Sequence, residues 1–165
     1  MVNKQNIEDV LQSILDPELP ISIVDLGLIE EVAFSNGLVQ IDLLPTFIGC
    51  LALPAIAKEI ETKLEALDGI RKVEVVFIND PPWHTERITE RGRKDLASHG
   101  IAVPDGSECC SQATSTTVDL STSIIPCPWC DSQDTKITSS FGPTRCRSIH
   151  FCNACRQPFE RMKMI

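Results

Sequence analysis

The first part of the chain alternates between two hydrophobic periods. Ile7, Val10, Leu11 and Ile14 recur at i, i+3, i+4 and i+7, the stripe of an amphipathic helix. Asp16-Pro17 predicts its end, because the residue before proline disfavours helical geometry. Val32–Phe34 and Leu38–Leu44 flank Ser35-Asn36-Gly37, and Val39, Ile41 and Leu43 alternate with Gln40 and Asp42. This predicts a hairpin closed by Asn-Gly, a pair that accepts the positive φ angles of a tight turn. From Leu53, the residues Ile56, Ala57, Ile60, Leu64 and Leu67 return to helical spacing, with Pro54 tolerated in the first turn and Asp68-Gly69 closing the end. Val73, Val75 and Phe77 then alternate with Lys72, Glu74 and Val76 in a third strand that stops at Asn79-Asp80-Pro81-Pro82. The order α-β-β-α-β predicts an α+β sandwich with its helices on one face. The mixed-sign run Glu86-Arg87, Glu90-Arg91 and Arg93-Lys94-Asp95 reads as a solvated helix face.

The pattern changes beyond residue 105. Nine of the 17 residues from Ser107 to Ser123 are Ser or Thr, which predicts a tether. Residues 1–105 carry 18 Asp and Glu against nine Lys and Arg, whereas 106–165 carry five against six. We therefore expect a domain over 1–105, a linker over 106–124 and a small domain over 125–165. The 165 residues are 42% apolar, enough for a core of ordinary size. No window approaches about 18 uninterrupted apolar residues, and Lys4, Glu8 and Asp9 stand where a secretory leader would be apolar. These features predict a cytoplasmic protein without a membrane span. The net charge of −8 has the wrong sign for a general nucleic-acid binder, so protein partners are expected.

Cysteine carries the candidate chemistry. Cys127-Pro128-Trp129-Cys130 and Cys152-Asn153-Ala154-Cys155 are two Cys-x-x-Cys knuckles separated by 21 residues, a spacing at which four thiolates converge on one tetrahedral ion. Lys136-Ile137-Thr138 and Ser148-Ile149-His150-Phe151, on either side of Gly142-Pro143, predict the hairpin that brings the knuckles together. In a reducing compartment such thiols hold metal more often than they form disulfides. Structural Zn²⁺ suits four thiolates best. The rival is a rubredoxin-like iron site, which usually has Gly after the second Cys of a knuckle, where this chain has Asp131 and Arg156. Cys146 is left open as a buried residue, a spare ligand or a site in its own right, and Cys109 and Cys110 as exposed thiols of the tether. Cys50 is expected at the start of the second helix, where unpaired amides favour a thiolate that could serve as a soft ligand or a nucleophile. A buried apolar role for Cys50 is the alternative. His84 could serve Cys50 as a general base or be a surface residue, and His99 is read as a surface residue.

Two resemblances gather these residues. The opening helix, Asp16-Pro17-Glu18, Val24-Asp25-Leu26-Gly27-Leu28-Ile29, the Asn-Gly hairpin, Pro45-Thr46 before Gly49-Cys50, and Pro-Pro-Trp after the third strand resemble the MIP18 family, domain of unknown function 59. That resemblance implies iron–sulfur assembly and a cluster-handling role for Cys50, with Leu51 standing where the family usually has Pro. The tail, from Cys127-Pro-Trp-Cys130 through Ser140-Phe141-Gly142-Pro143-Thr144-Arg145-Cys146 to Cys152-Asn-Ala-Cys155-Arg156-Gln157-Pro158-Phe159-Glu160, resembles the D-subunit family of bacterial phenylacetyl-CoA 1,2-epoxidase systems. The stretch Trp83, Thr85, Thr89-Glu90-Arg91-Gly92-Arg93, Leu96 and Gly100-Ile101-Ala102 does so too.

This second resemblance implies an accessory component, without a catalytic centre of its own, that partners the oxygenase and reductase subunits and assists their iron–sulfur or di-iron maturation. Transient iron–sulfur cluster or iron at Cys50 would accompany structural zinc in the ribbon. The alternatives are a non-catalytic docking subunit, a rubredoxin-like electron carrier, and a Cys50 nucleophile acting on a thioester; a homodimer is left open. No Glu is followed three residues later by His, as a di-iron bundle site needs, and no Gly-x-Gly-x-x-Gly loop is present for a dinucleotide.

Overall fold

The computed structural model describes residues 3–47, 49–104 and 125–163. The expected linker over 106–124, with Cys109 and Cys110, lies outside the described residues. The chain divides into two units, one ending at Asp95 and one beginning at Leu96. Among the described residues, no helix is long and apolar enough to cross a membrane.

The first unit opens with helix α1, Lys4–Gln12, whose start is fixed by a reciprocal cap: Asn6 N–H donates to Asn3 Oδ1 at 2.9 Å, and Asn3 N–H to Asn6 Oδ1 at 3.1 Å. It buries Ile7 and Leu11. The helix stops at Gln12, short of Asp16-Pro17, because the Ser13 hydroxyl donates to the Val10 carbonyl at 2.7 Å and the chain turns there. Ile14 still reaches the core, fully buried, as Ile23 N–H donates to its carbonyl at 3.0 Å. Strands β1, Ile29–Ser35, and β2, Leu38–Leu43, form the expected antiparallel hairpin, and Asn36 and Gly37 take φ of 50° and 76° in the turn. Helix α2, Leu53–Glu65, returns the chain so that β3, Lys72–Phe77, lies parallel to β2. The sheet order is β1-β2-β3. Val39, Ile41 and Leu43 of the central strand are buried, as are Ile56, Ile60 and Leu64 of α2. The other face of β2, with Leu38 and Gln40, is exposed.

The motif Val24–Ile29 is a tight loop. Gly27 has φ +73°, and a Cβ there would fall 2.6 Å from Arg87 Cβ, so only glycine fits. Arg87 Nε donates to the Gly27 carbonyl at 3.0 Å, and Trp83 Nε1 to the Leu26 carbonyl at 3.0 Å. These bonds tie the loop to the segment after β3, which forms a 3₁₀ turn at Thr85–Arg87 and helix α3 at Glu90–Ser98.

The second unit is a sheet in the order β4-β7-β6-β5: β4, Ile101–Ala102; β5, Thr135–Ser139; β6, Arg147–Cys152; β7, Pro158–Met162. The expected hairpin is β5–β6, antiparallel, with an irregularity between Ile137 and Ser139. Two strands are added to it. β7 pairs antiparallel with β6, and β4 pairs parallel with β7, so that Ile101 and Ala102, grouped by sequence with the first domain, pair with the ribbon. Neither addition shows clear alternation, because β4 has two residues and β7 holds Glu160 and Arg161 half-buried between Phe159 and Met162. Arg147 Nη1 meets Glu160 Oε2 at 2.5 Å, and the ring of His150 stacks on Phe159 with centroids 5.4 Å apart. Ala102, Ile125, Cys127, Cys152 and Phe159 form the small core.

Candidate metal centre and the Cys50 loop

Two turns carry the four thiols. In the first, Asp131 N–H donates to the Cys127 carbonyl at 2.9 Å, and Cys127 N–H to the Ser132 carbonyl at 3.0 Å. In the second, Cys152 N–H donates to the Gln157 carbonyl at 3.0 Å. The residue after each knuckle's second Cys, Asp131 and Arg156, has φ of 57° and 60°. Both knuckles thus adopt the left-handed geometry that glycine would favour, at a cost of roughly 1 kcal/mol per residue. Pairing of β5 with β6 then sets the knuckles opposite each other.

The sulfurs of Cys127, Cys130, Cys152 and Cys155 all lie within 4.8 Å of one another. Cys127 Sγ is 3.7 Å from Cys155 Sγ, and Cys130 Sγ is 3.7 Å from Cys152 Sγ. A tetrahedral ion with metal–sulfur bonds of about 2.3 Å needs sulfurs about 3.8 Å apart. The donor set and its spacing fit a single metal ion.

The four thiols differ in acidity. The backbone N–H groups of Cys155 and, against the effect of burial, Ala154 bring the Cys152 thiol down to about 7. Burial pushes Cys127 up to about 12, although the N–H groups of Trp129 and Cys130 act the other way, and burial also raises Cys155. An entering ion must displace protons from these two, so affinity falls with acidity.

Cys146 is buried in the same unit but lies outside the sulfur group; Thr144 Oγ1 is 3.1 Å from its Sγ. Cys50 belongs to the first unit and is half-buried. The second helix begins at Leu53, so Cys50 sits in the turn ahead of it, two residues before the N-cap Ala52, and its N–H donates to the Phe47 carbonyl at 3.1 Å. The N-cap Ala52 itself makes no side-chain capping bond. Gly49 has φ +85° with open space around it, and Leu51 is 90% exposed. His84 is exposed at the head of the 3₁₀ turn, and His99 follows α3, with its Nδ1 3.0 Å from Ser98 Oγ. Among the described residues, no second group of three or more potential metal donors gathers.

Asp25 belongs to a sequence motif that by itself assigns it no role. Its side chain is 8% exposed, and its Oδ2 accepts from Gln12 Nε2 at 2.6 Å, Arg91 Nη2 at 2.5 Å and Ser22 Oγ at 3.1 Å, while Oδ1 accepts from Thr89 Oγ1 at 2.7 Å. Burial pushes this carboxyl up, but the bonds from Thr89, Arg91, Gln12 and Ser22 outweigh it and hold it below the usual value. The carboxylate fastens α1, the Val24–Ile29 loop and the start of α3 together.

Similarity to known proteins follows the division into units. Residues 111–163 match a family model described as PaaD zinc beta ribbon domain, and residues 4–77 match one described as iron-sulfur cluster assembly protein. A protein of Escherichia coli strain K12, named provisionally as the D subunit of 1,2-phenylacetyl-CoA epoxidase, is 32% identical over 157 residues, covering 94% of this chain and 90% of its own. The chain belongs to the family of phenylacetyl-CoA epoxidase D subunits. Its first part is also similar to smaller proteins. The Fe-S protein maturation auxiliary factor YitW of Bacillus subtilis strain 168 is 34% identical over 52% of this D-subunit chain and 85% of its own length. A crystal structure of a domain of unknown function, DUF59, from Bacillus anthracis superposes with a TM-score of 0.54 at 29% identity, covering 56% of this chain and 90% of that one. The D-subunit family thus joins an α+β domain of that fold to a zinc ribbon.

Proposed function

We propose that this chain is a cytoplasmic accessory factor of a phenylacetyl-CoA epoxidase system that assists iron–sulfur or di-iron maturation of the oxygenase or reductase. Cys50 transiently holds the cluster or iron as cargo, and the ribbon, organised by one structural Zn²⁺ on Cys127, Cys130, Cys152 and Cys155, docks the client. One observation carries the reading: a single chain joins an iron–sulfur assembly match over residues 4–77 to an epoxidase D-subunit ribbon over 111–163. The chain performs no oxidation itself in this reading.

The chemistry supports this division of labour. Zinc takes four thiolates tetrahedrally and has no redox chemistry, so it shapes a module without reacting. Among the described residues, the ribbon's hydrophobic cluster is small and includes two of the thiols, so the metal supplies much of its folding free energy, on the order of 10 kcal/mol. Cys50 stands instead on an open turn beside an exposed leucine, where a partner can reach it.

The test is coexpression of Cys50→Ser with the oxygenase and reductase. Iron content of the client should fall to the level found when the chain is omitted, while the variant keeps its fold and ribbon metal. Unchanged client iron would exclude a role for Cys50. The E. coli relative's name as a subunit favours a second reading, in which the chain stays in the complex as a docking component. Copurification with the oxygenase at fixed stoichiometry supports that reading over a transient carrier.

A further inference from the structure

The first metal knuckle holds more than two sulfurs. Trp129 stands between Cys127 and Cys130, and its N–H points at Cys127 Sγ at 3.4 Å, so the path of the knuckle sets the position of the indole. The indole Nε1 donates to the Pro158 carbonyl at 3.2 Å, at the start of β7. Its ring covers Gly100: a Cβ at that residue would lie 2.3 Å from ring carbon Cζ2 and 3.0 Å from Cε2 and Cη2. Gly100 also has φ +74°, so the position demands glycine twice over. The Gly100 carbonyl accepts from Glu160 N–H at 2.8 Å, and the next two residues are β4, with Ile101 opposite Glu160 and Ala102 opposite Arg161. Ala102 packs in the small core with Cys127 and Cys152, two of the four thiols.

A strand of two residues has too few ladder bonds to hold itself in place. What fixes β4 is the indole above Gly100 and the thiol-lined core beneath Ala102, and both depend on the knuckles. We infer that metal occupancy of the four-cysteine centre decides whether residues 100–102 are docked on the ribbon, with Trp129 as the latch that transmits it. With the ion bound, the knuckle is rigid, the indole sits on Gly100 and the ribbon's ordered edge begins at β4. With the ion removed, four unpaired thiols no longer define the turn, the indole leaves Gly100, and β4 separates from β7. The ribbon then gives up the stretch of chain that follows α3. Metal content would thereby set whether the ribbon's sheet includes the chain at 100–102.

The inference rests on the four thiols binding metal, as proposed above. The test is amide hydrogen exchange on the full chain, zinc-loaded and after chelation, with metal content measured on the same samples. Chelation should raise exchange in peptides covering 99–103 at least tenfold, a change on the scale of local opening. Trp129→Ala should do the same while the metal is still bound. Gly100→Ala, which changes no residue of the knuckle and displaces only the far end of the Trp129 ring, should raise exchange at 101–102 with one metal ion per chain retained. Unchanged protection at 99–103 in chelated protein, or in metal-loaded Gly100→Ala and Trp129→Ala, would overturn the latch alone. A chain that takes up no zinc at all would overturn it together with the metal reading.

Discussion

At the scale of single residues, Asp25 and the four ribbon thiols show how position governs chemistry. Asp25 is held ionised by donors 64 and 66 residues away in the sequence, Thr89 and Arg91, as well as by Gln12 and Ser22. Arg91 is 64% exposed, so solvent screens its share, and the buried hydrogen bonds carry more of the effect. Asp25→Asn should destabilise the first unit by about 2 kcal/mol, the scale of hydrogen bonds to a charged group, as read from urea unfolding. The sign with pH follows from the depressed carboxyl. Its contribution is fully present above the unfolded value of about 4 and is lost as pH falls through the lower folded value. The same titration on Asp25→Asn should show a shallower loss of stability in acid. Neither Asp25 nor Trp129 announces its role in the sequence, because each acts on partners far along the chain, and hydrophobic periodicity says nothing of such contacts. The four thiols were legible because a two-residue spacing fixes a turn locally, whatever the rest of the chain does.

At the scale of elements, the segments with strong local instructions form as expected: the Asn36-Gly37 turn, the alternating β2 and β3, and α2 with Pro54 in its first turn. Three departures have physical causes. α1 ends at Gln12 because Ser13 caps it, ahead of the proline boundary. Cys50, expected at the start of α2, falls in the turn ahead of it, two residues before the N-cap Ala52. Among the described residues the ribbon's sheet has four strands rather than two, because β4 and β7 are held by pairing and by polar contacts such as Arg147 with Glu160, which leave no simple periodic mark. The knuckles are a further case. Asp131 and Arg156 stand where a rubredoxin-like site usually has Gly, and both adopt the left-handed conformation. Arg156→Gly should relieve that conformation and stabilise the metal-loaded ribbon by about 1 kcal/mol, measured as a shift in thermal midpoint. A neutral or destabilising effect would mean that the Arg156 side chain offsets the backbone cost.

At the scale of the whole molecule, sequence matches and contacts agree on two units with different sources of stability. The first buries an apolar sheet face and helices of ordinary kind, from Ile7 to Leu64. Among the described residues, the second has one small hydrophobic cluster of five, two of them thiols, and in the reading proposed above an ion supplies the rest. Charge divides in a similar way, with the acidic excess in residues 1–105 and near balance beyond. The ribbon's dependence on metal is the claim on which its docking role and the Trp129 latch both stand. Metal analysis combined with an ultraviolet–visible spectrum of the full-length protein, freshly purified with and without oxygen, tests it most directly. One zinc per chain in colourless protein is the predicted result; thiols without metal, or the red of ferric iron on four sulfurs, would contradict it.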